Sequence, residues 1–372
     1  MKKLLTILLF SLLLPNVTNN GADVSIAEDV TVNVTGDLIL NSGNIDLSGN
    51  LNVTGQLIEN GGSLSGEGDY NGDSLLVLGC TDALACNYNS DANTDDDSCD
   101  YSCHDNGDYS LYFDGMNDDV KIIDVEGLPQ GNDPITMEVS INVENYPEPI
   151  NDYYIITVGT AWDNQMYAIL NTTDQISFAF YGDDLLVPYS LYEKDWIHIT
   201  TTYDGLNRKI YVNGEMIAED MTSTASVLGN NIYLAYPDMH GEVIRYNGLM
   251  DNIKIWDRAL SSNDVLSSYL NNIDYTDNGL LALYKFNQGN EGDYPNILID
   301  YSGNQNHGTI YGAEWKLYAD MNDDGLLNIL DIIVVANIVI GIFPYDESAD
   351  LTGDGQVNIL DVIFLVNLVL NS

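Results

Sequence analysis

Residues 196–215 read WIHITTTYDGLNRKIYVNGE. Apolar and polar residues alternate before and after Tyr203-Asp204-Gly205, and Asn213-Gly214 follows the second run. Alternation with a period of two residues indicates a strand with one buried face, and Asn-Gly between such runs is typical of a tight hairpin turn. The stretch therefore predicts antiparallel β-structure.

The same pattern extends over residues 108–315, where short alternating runs are separated by turn residues at strand-length spacing. This pattern predicts an antiparallel sandwich of two sheets. One helix is expected in ALSSNDVLSSYLNN (259–272), capped by Ser261 or Ser262. Its spacing places four larger side chains on one face: Val265, Leu266, Tyr269 and Leu270.

Three further motifs accompany residues 196–215: LYFDGMNDDVKI (111–122), YNGLMDNIKIWDRALSSNDV (246–265) and a tail running from LLALYKFNQGN to LIDYSGNQNHGTIYGAEW (280–315). In this order they resemble the laminin-G-like, concanavalin-type jelly-roll family over almost all of residues 108–315. The resemblance implies a mainly β fold and a role in recognising glycans or other surface ligands.

Candidate ligand-contacting residues in the jelly roll are aromatic, because flat rings stack on sugars. Trp196 and Trp256 lie within strand motifs and are expected in the core, so the better candidates lie between or at the ends of strands: Trp162, Tyr181 and Tyr236. Some relatives carry a Ca²⁺ site, which here would use Asp114, Asp118 and Asp251. The alternative is that Asp114 only shapes the turn before Gly115.

Two twelve-residue stretches in residues 316–372 follow one layout, DMNDDGLLNILD (320–331) and DLTGDGQVNILD (350–361). Each has oxygen-bearing side chains at positions 1, 3 and 5, Gly at 6, Asn at 9 and a carboxylate at 12, which is the arrangement of a Ca²⁺-binding loop. Position 7 would contribute a backbone carbonyl. The expected ligands are Asp320, Asn322, Asp324, Leu326, Asn328 and Asp331 in one loop, and Asp350, Thr352, Asp354, Gln356, Asn358 and Asp361 in the other.

Asp at position 12, the duplication and the helix after each loop resemble type I dockerins, paired Ca²⁺-loop modules that dock onto cohesins. The resemblance implies a cohesin-like or other surface protein as partner. The following helices, IIVVANIVIG (332–341) and VIFLVNLVLN (362–371), contain no Lys or Arg and so depart from the usual recognition helices. Helices apolar nearly all round are expected to be buried somewhere, against each other, the jelly roll or a partner.

Residues 23–78 contain VNVTGDLIL (32–40) and LNVTGQLIE (51–59), a repeat at a distance of 19 residues. Alternating strands with Gly and Asn corners predict stacked rungs of a β-solenoid, and an irregular β-rich spacer is the alternative.

Residues 79–104 hold all four cysteines: Cys80, Cys86, Cys99 and Cys103. In an exported protein such a cluster predicts two disulfides in one of three pairings, and the spacing does not suit the paired knuckles of a zinc site. GCTDALACNYNSDANTDDDSC resembles short Asp-rich repeats of exported marine bacterial surface proteins. The alternating oxygens of Asp91, Asn93, Asp95 and Asp97 suit Ca²⁺, or else form a solvated acidic linker.

The 57 acidic and 11 basic residues give a net charge of −46, which excludes a nucleic-acid binder held by phosphate contacts. Residues 1–22 join a basic start to an apolar run from Leu4 to Leu14, which predicts a signal peptide. That run is too short to span a bilayer, and no transmembrane segment is expected in the mature chain. A secreted or cell-surface location follows.

These features predict a Ca²⁺-binding modular protein that recognises a glycan or surface ligand through the jelly roll without catalysis. The glycoside hydrolase signature E-x-D-x-x-E is absent from the sequence. The alternatives are an enzyme or enzyme-associated subunit in polysaccharide hydrolysis, or a structural adhesin.

Overall fold

The computed structural model describes residues 5–6, 11–14, 16–72, 76–143, 153–160, 165–172, 175–180, 182–189, 196–222, 224–236, 245–270, 279–289 and 295–371. The chain divides into two compact units, Met1–Cys103 and His104–Ser372.

The first unit contains a β-solenoid, as the 19-residue repeat predicts. Parallel strands stack in two sheets, ordered β1-β4-β6-β8-β11 and β10-β7-β5-β2, with β3 and β9 also paired to β6. The strands are β1 (Leu5–Thr6), β2 (Ser11–Leu14), β3 (Val17–Asn20), β4 (Val24–Ile26), β5 (Thr31–Val34), β6 (Leu38–Leu47), β7 (Asn50–Val53), β8 (Leu57–Glu59), β9 (Gly62–Ser65), β10 (Asp69–Asn71) and β11 (Leu76–Val77).

Apolar side chains of successive rungs form the solenoid core, which includes Val34, Leu40 and Leu51. Columns of asparagine run along the stack: Asn71 donates to Asn52 (3.1 Å) and Asn52 donates to Asn33 (2.6 Å). Such amide ladders stabilise in-register parallel strands. Strands β1, β2 and β3 belong to this stack and lie in the predicted signal peptide. The removal of residues 1–22 stays a prediction.

The cysteine-rich segment forms two interleaved disulfides, Cys80–Cys99 and Cys86–Cys103. The expectation of two bridges is confirmed, and the pairing is the one that crosses along the chain. Asn93 accepts a hydrogen bond from the Val77 amide (3.0 Å), and Asp95 accepts one from the Thr81 hydroxyl (2.9 Å). A short 3₁₀ helix covers Ser102–His104.

The second unit contains the predicted antiparallel sandwich of two eight-stranded sheets. Sheet I is ordered β21-β20-β19-β14-β23-β12-β27, with β24 also paired to β23, and sheet II is ordered β18-β17-β16-β15-β22-β13-β26-β25. The strands are β12 (Tyr109–Asp114), β13 (Asp119–Ile122), β14 (Ile135–Val143), β15 (Tyr153–Gly159), β16 (Met166–Thr172), β17 (Gln175–Ala179), β18 (Asp184–Pro188), β19 (Ile197–Tyr203), β20 (Asn207–Val212), β21 (Glu215–Met221), β22 (Ile232–Leu234), β23 (Asn247–Trp256), β24 (Leu280–Tyr284), β25 (Ile297–Leu298), β26 (Gly308–Tyr311) and β27 (Glu314–Leu317).

The main core lies between these sheets and includes Phe113, Ile141 and Phe178. Trp256 is fully buried as predicted, but Trp196 is 38% exposed, because it precedes β19 and lies outside the sheet. That expectation was wrong.

Helix α1 (Ser262–Tyr269) is capped by Ser261 in a capping box with Asp264. The predicted helix is confirmed, but the four larger side chains expected on one face do not share one environment. Val265 and Ser268 are buried, whereas Leu266 and Leu270 are 45% and 54% exposed. Ser268 takes the inward position because its hydroxyl bonds to buried charged groups of sheet I.

The C-terminal module consists of two loop–helix repeats, with α2 (Ile329–Val339) and α3 (Ile359–Asn371) packed through Val335, Ile338 and Leu365. A 3₁₀ helix, Glu347–Ala349, lies between them. Across the described residues, no helix combines the length and apolar character that crossing a membrane requires.

Candidate functional site

In the first twelve-residue loop, backbone N–H groups donate hydrogen bonds to carboxylates of the same loop. Asp331, fully buried, accepts hydrogen bonds from the backbone N–H groups of Met321 (3.0 Å), Asn322 (3.3 Å) and Asn328 (2.7 Å). Asp320 accepts from the Gly325 N–H at 2.7 Å, and Gly325 has φ +79°, the left-handed conformation expected of position 6. The loop is therefore shaped around inward carboxylate oxygens.

The second loop repeats this arrangement. Asp361 accepts from the Asn358 N–H (2.7 Å) and from the Thr352 hydroxyl (2.8 Å) and N–H (3.0 Å). Asp350 accepts from the Gly355 N–H at 2.7 Å. Desolvation acts to raise the pKa of Asp361, but these hydrogen bonds outweigh it and hold the pKa below its usual value.

Position 9 of each loop has a second role, because it begins the helix. Asn328 is the N-cap of α2, where its side chain accepts from the Leu330 N–H (2.8 Å) and donates to the Leu326 carbonyl (3.0 Å). Asn358 makes the matching contacts with Leu360 (2.9 Å) and the Gln356 carbonyl (3.0 Å). Asp331 occupies the third helical position of the capping box, so the expected ligands at positions 9 and 12 also cap the helix.

The remaining expected ligands lie at the loop surfaces. Asn322 donates to Asp324 at 2.9 Å, and Asp324 in turn accepts from the Leu326 N–H at 3.0 Å; in the second loop Asp354 accepts from the Gln356 N–H at 2.9 Å. In the part of the chain that the structure describes, no three His, Cys, Asp or Glu side chains are grouped as a metal would require. The donors are nonetheless hard oxygens in kind, which Ca²⁺ prefers.

The two repeats expose matching apolar residues. Ile329, Leu330 and Ile333 are exposed on α2, and the residues thirty positions later, Ile359, Leu360 and Ile363, are exposed on α3. Of the burial expected for these helices, packing against each other is observed within the described residues. Burial of the other side, which faces solvent, against a partner stays a prediction. Clustered exposed apolar residues of this kind mark interaction surfaces.

The three candidate Ca²⁺ ligands of the jelly roll are only partly brought together. The Asp114 N–H donates to Asp118 at 2.8 Å, and the Asp114 side chain accepts from the Met116 N–H at 2.7 Å, so Asp114 shapes this turn. Asp251 lies elsewhere in the sheet. Asp114 pairs with Asn247 in β23, and Asp251 follows Asn247 by four residues, a distance of about 13 Å along the strand. Burial raises the pKa of Asp251 to about 8, and the Asp108 charge adds to this rise.

Of the aromatic candidates, Trp162 and Tyr181 lie outside the described residues. Tyr236 follows β22, and the guanidinium of Arg245 lies 4.7 Å from the centre of its ring. The ammonium of Lys121 lies 5.4 Å from the same ring. Sequence reasoning missed these two cations, since 115 residues separate Lys121 from Tyr236 along the chain.

A buried polar network fixes α1 to sheet I. The fully buried Glu138 accepts hydrogen bonds from the indole N–H of Trp256 (2.7 Å) and the hydroxyl of Ser268 (2.9 Å), and its other oxygen lies 3.2 Å from His198 Nε2. Lys254 donates to Ser268 at 2.9 Å. Burial acts to raise the pKa of Glu138, but the His198 contact and the Lys254 charge outweigh it and lower the pKa. The network stabilises the fold.

Residues 114–266 match the family model of the Concanavalin A-like lectin/glucanases superfamily. This span covers most of the sandwich, so the jelly-roll expectation is confirmed for it. No curated protein matches the chain.

Many solved structures are similar to the chain, including the following three. A Bacteroides ovatus ATCC 8483 protein, described as a candidate carbohydrate-binding protein, has 21% identity and a TM-score of 0.47, covering 57% of this chain and 60% of its own. A SAP-like pentraxin from Limulus polyphemus has 16% identity and a TM-score of 0.35, covering 44% and 82%. The binding domain of botulinum neurotoxin DC, solved with rat synaptotagmin II, has 14% identity and a TM-score of 0.32, covering 39% and 37%.

Proposed function

We propose that this protein is a secreted, Ca²⁺-binding recognition protein whose jelly roll binds a glycan without catalysis. The observation that carries the proposal is the match of residues 114–266 to a lectin/glucanase family, within an antiparallel sandwich. The missing E-x-D-x-x-E signature favours the lectin side of that family description over the glucanase side. The two disulfides are typical of a protein from an oxidising compartment.

A glycan array combined with a reducing-sugar assay tests this function. Saturable binding of an oligosaccharide without new reducing ends supports the proposal. New reducing ends at a steady rate would instead establish the enzyme alternative. The absence of both, together with Ca²⁺-dependent self-association, would establish a structural adhesin.

Calcium is part of the proposal because both C-terminal loops have a hard-oxygen donor set. Asp320, Asp324 and Asp331, with Asn322, Asn328 and the Leu326 carbonyl, would hold one ion, and their counterparts from Asp350 to Asp361 would hold the second. Bound Ca²⁺ supplies charge neutralisation, so the folded module is stabilised by binding. In calorimetric titration of the full chain, the number of Ca²⁺ ions bound per chain should fall by about one when Asp331 or Asp361 is replaced by Ala.

Attachment to a cohesin-like or other surface protein is the proposed role of the C-terminal module. The matching exposed residues of α2 and α3 support it, because two equivalent apolar faces on one small module need a partner to exclude water. Capture of exported proteins from the source organism by the full chain tests this role. Replacement of Ile333 and Ile363 by Ser should abolish capture, whereas capture that persists would contradict it.

A further inference from the structure

One exposed cluster on sheet II joins aromatic rings to positive charge. Lys121 in β13 lies between two tyrosines: its ammonium is 5.1 Å from the ring centre of Tyr311, at the end of β26, and 5.4 Å from that of Tyr236. The neighbours of Lys121 along the strand, Val120 and Ile122, are fully buried in the core. Alternation therefore directs Lys121 away from the core. We name Lys121, Tyr236, Arg245 and Tyr311 the Lys121 cluster.

The Lys121 cluster concentrates a scarce charge. The chain has 11 basic residues against 57 acidic ones, and two of the 11 lie here. Arg245 is already occupied, because it donates to the Asp119 carboxylate at 2.8 Å and to the Asp118 carbonyl at 3.0 Å. Its guanidinium therefore holds the Tyr236 ring in place. The Lys121 ammonium forms a loose ion pair with Asp119 and donates no hydrogen bond within the described residues.

Three hydrogen-bond donors of the cluster have no acceptor within the described part of the chain: the Lys121 ammonium and the hydroxyls of Tyr236 and Tyr311. Among the described residues, the carboxylate oxygen nearest to Lys121 belongs to Asp119; it lies 3.9 Å away, which makes a loose ion pair but is beyond hydrogen-bond distance. Tyr311 is 48% exposed, so a ligand can reach its ring. The cluster combines open donors with accessible aromatic surface.

This combination specifies the chemistry of a ligand. Tyrosine rings stack on the apolar faces of sugars, and unpaired donors around an ammonium bind an oxyanion through charge-assisted hydrogen bonds. A neutral sugar would leave the Lys121 ammonium with only the Asp119 carboxylate, 3.9 Å away, as a charged partner within the described residues. The net charge of −46 repels polyanions from the rest of the molecule, so binding of an acidic sugar would depend on this place.

We propose that the Lys121 cluster is a subsite for an acidic saccharide, with the carboxylate of a uronic acid or a sulfate ester on Lys121 and the sugar ring on Tyr311. The inference rests on the proposed glycan recognition and adds to it the class of glycan and the position of the binding subsite on sheet II.

The test uses the full chain and calorimetric titration at about 0.15 M salt, where long-range repulsion is screened. The probes are a uronic acid tetrasaccharide, a sulfated tetrasaccharide and a neutral glucan tetrasaccharide. The uronic acid and sulfated probes identify which oxyanion is preferred. Lys121→Gln should weaken binding of the acidic probe by about tenfold, the effect of losing one charge-assisted hydrogen bond.

Two matched variants separate the cluster from general charge effects. Lys209→Gln removes a half-buried lysine from β20 of sheet I and should leave the affinity within about twofold, and Lys121→Arg should retain binding because it keeps the charge. Unchanged melting curves show that each variant is folded.

Two results would overturn this subsite while glycan recognition stands. One is that wild type and Lys121→Gln bind the acidic probes with equal affinity. The other is that wild type binds the neutral probe more tightly than both acidic probes. If no glycan of any kind binds, both proposals fail.

Discussion

Replacement of Asp331 by Ala should open the start of α2 even in the absence of calcium. The carboxylate is fully buried and accepts three backbone hydrogen bonds, from Met321, Asn322 and Asn328. An alanine leaves all three N–H groups without this acceptor. At about 1 kcal/mol for each hydrogen bond, the local free energy of opening should fall by about 3 kcal/mol.

Hydrogen exchange of α2 amides measures this loss in the intact chain. Since each 1.4 kcal/mol corresponds to a factor of about ten, protection of residues 332–339 should fall by about a hundredfold in chelator. Asp361→Ala should have the same effect on α3, because Asp361 accepts an equivalent set of bonds.

The control is Asp323→Asn in the same loop. The Asp323 side chain is 79% exposed, and its one ion pair within the described residues is with Lys316 at 3.4 Å. Its φ is +54°, which asparagine tolerates. In the Asp323→Asn variant, the hydrogen-exchange protection of the α2 amides should stay within about twofold of wild type, because a surface ion pair contributes little to stability. Protection in Asp331→Ala equal to that of this control would refute the view that the position-12 carboxylate organises the loop and the helix.

Three further predictions concern the other parts of the chain. Lys254→Met should lower the free energy of unfolding of the sandwich, measured in urea, by about 3 to 5 kcal/mol, because Glu138 loses a buried positive partner. Adding Glu138→Gln should recover part of this loss. Additive losses in the double variant would contradict an interaction between Lys254 and Glu138. Asp251, whose pKa is raised from 3.8 to about 8, keeps a proton in the folded state that the unfolded chain releases, so stability should fall as pH rises from about 4 to 8 and level off above it. Asp251→Asn should flatten that slope in calcium-free urea titrations, and parallel wild-type and variant curves would exclude this origin. Replacement of Cys80 and Cys99 by Ser should lower the stability of the cysteine-rich segment by about 3 kcal/mol, since the disulfide joins residues 19 apart. Limited proteolysis should then cut within residues 79–103 and spare the sandwich. Cleavage within the sandwich at the same rate would contradict the view that the segment and the sandwich unfold independently.

Local patterns in the sequence predicted those features that depend on neighbouring residues. The 19-residue repeat predicted the rungs that place β5 beside β7, and Asn-Gly at 213–214 predicted the β20–β21 turn. The shared loop layout anticipated the left-handed glycines Gly325 and Gly355. Each of these depends on backbone geometry that a few adjacent residues determine.

Features that depend on distant partners could not be predicted. Helical spacing placed Leu266 and Leu270 on the same face of α1 as Val265. Both leucines are exposed, and Ser268 is buried with Val265 because its hydroxyl bonds to Glu138 and Lys254. The disulfide pairing was open among three possibilities, since spacing alone does not distinguish them. The Lys121 cluster joins residues from β13, β26 and the end of β22, which only the sheet order brings together.

Nuclear magnetic resonance of an oligosaccharide mixed with the full chain in millimolar calcium tests the central claim most directly, because one sample reports both binding and turnover. The account predicts saturation transfer from the protein to the sugar while the anomeric signals of the sugar stay unchanged over a day. New anomeric signals from cleaved product, or the absence of transfer to every acidic and neutral oligosaccharide tried, would contradict a non-catalytic glycan-recognition protein.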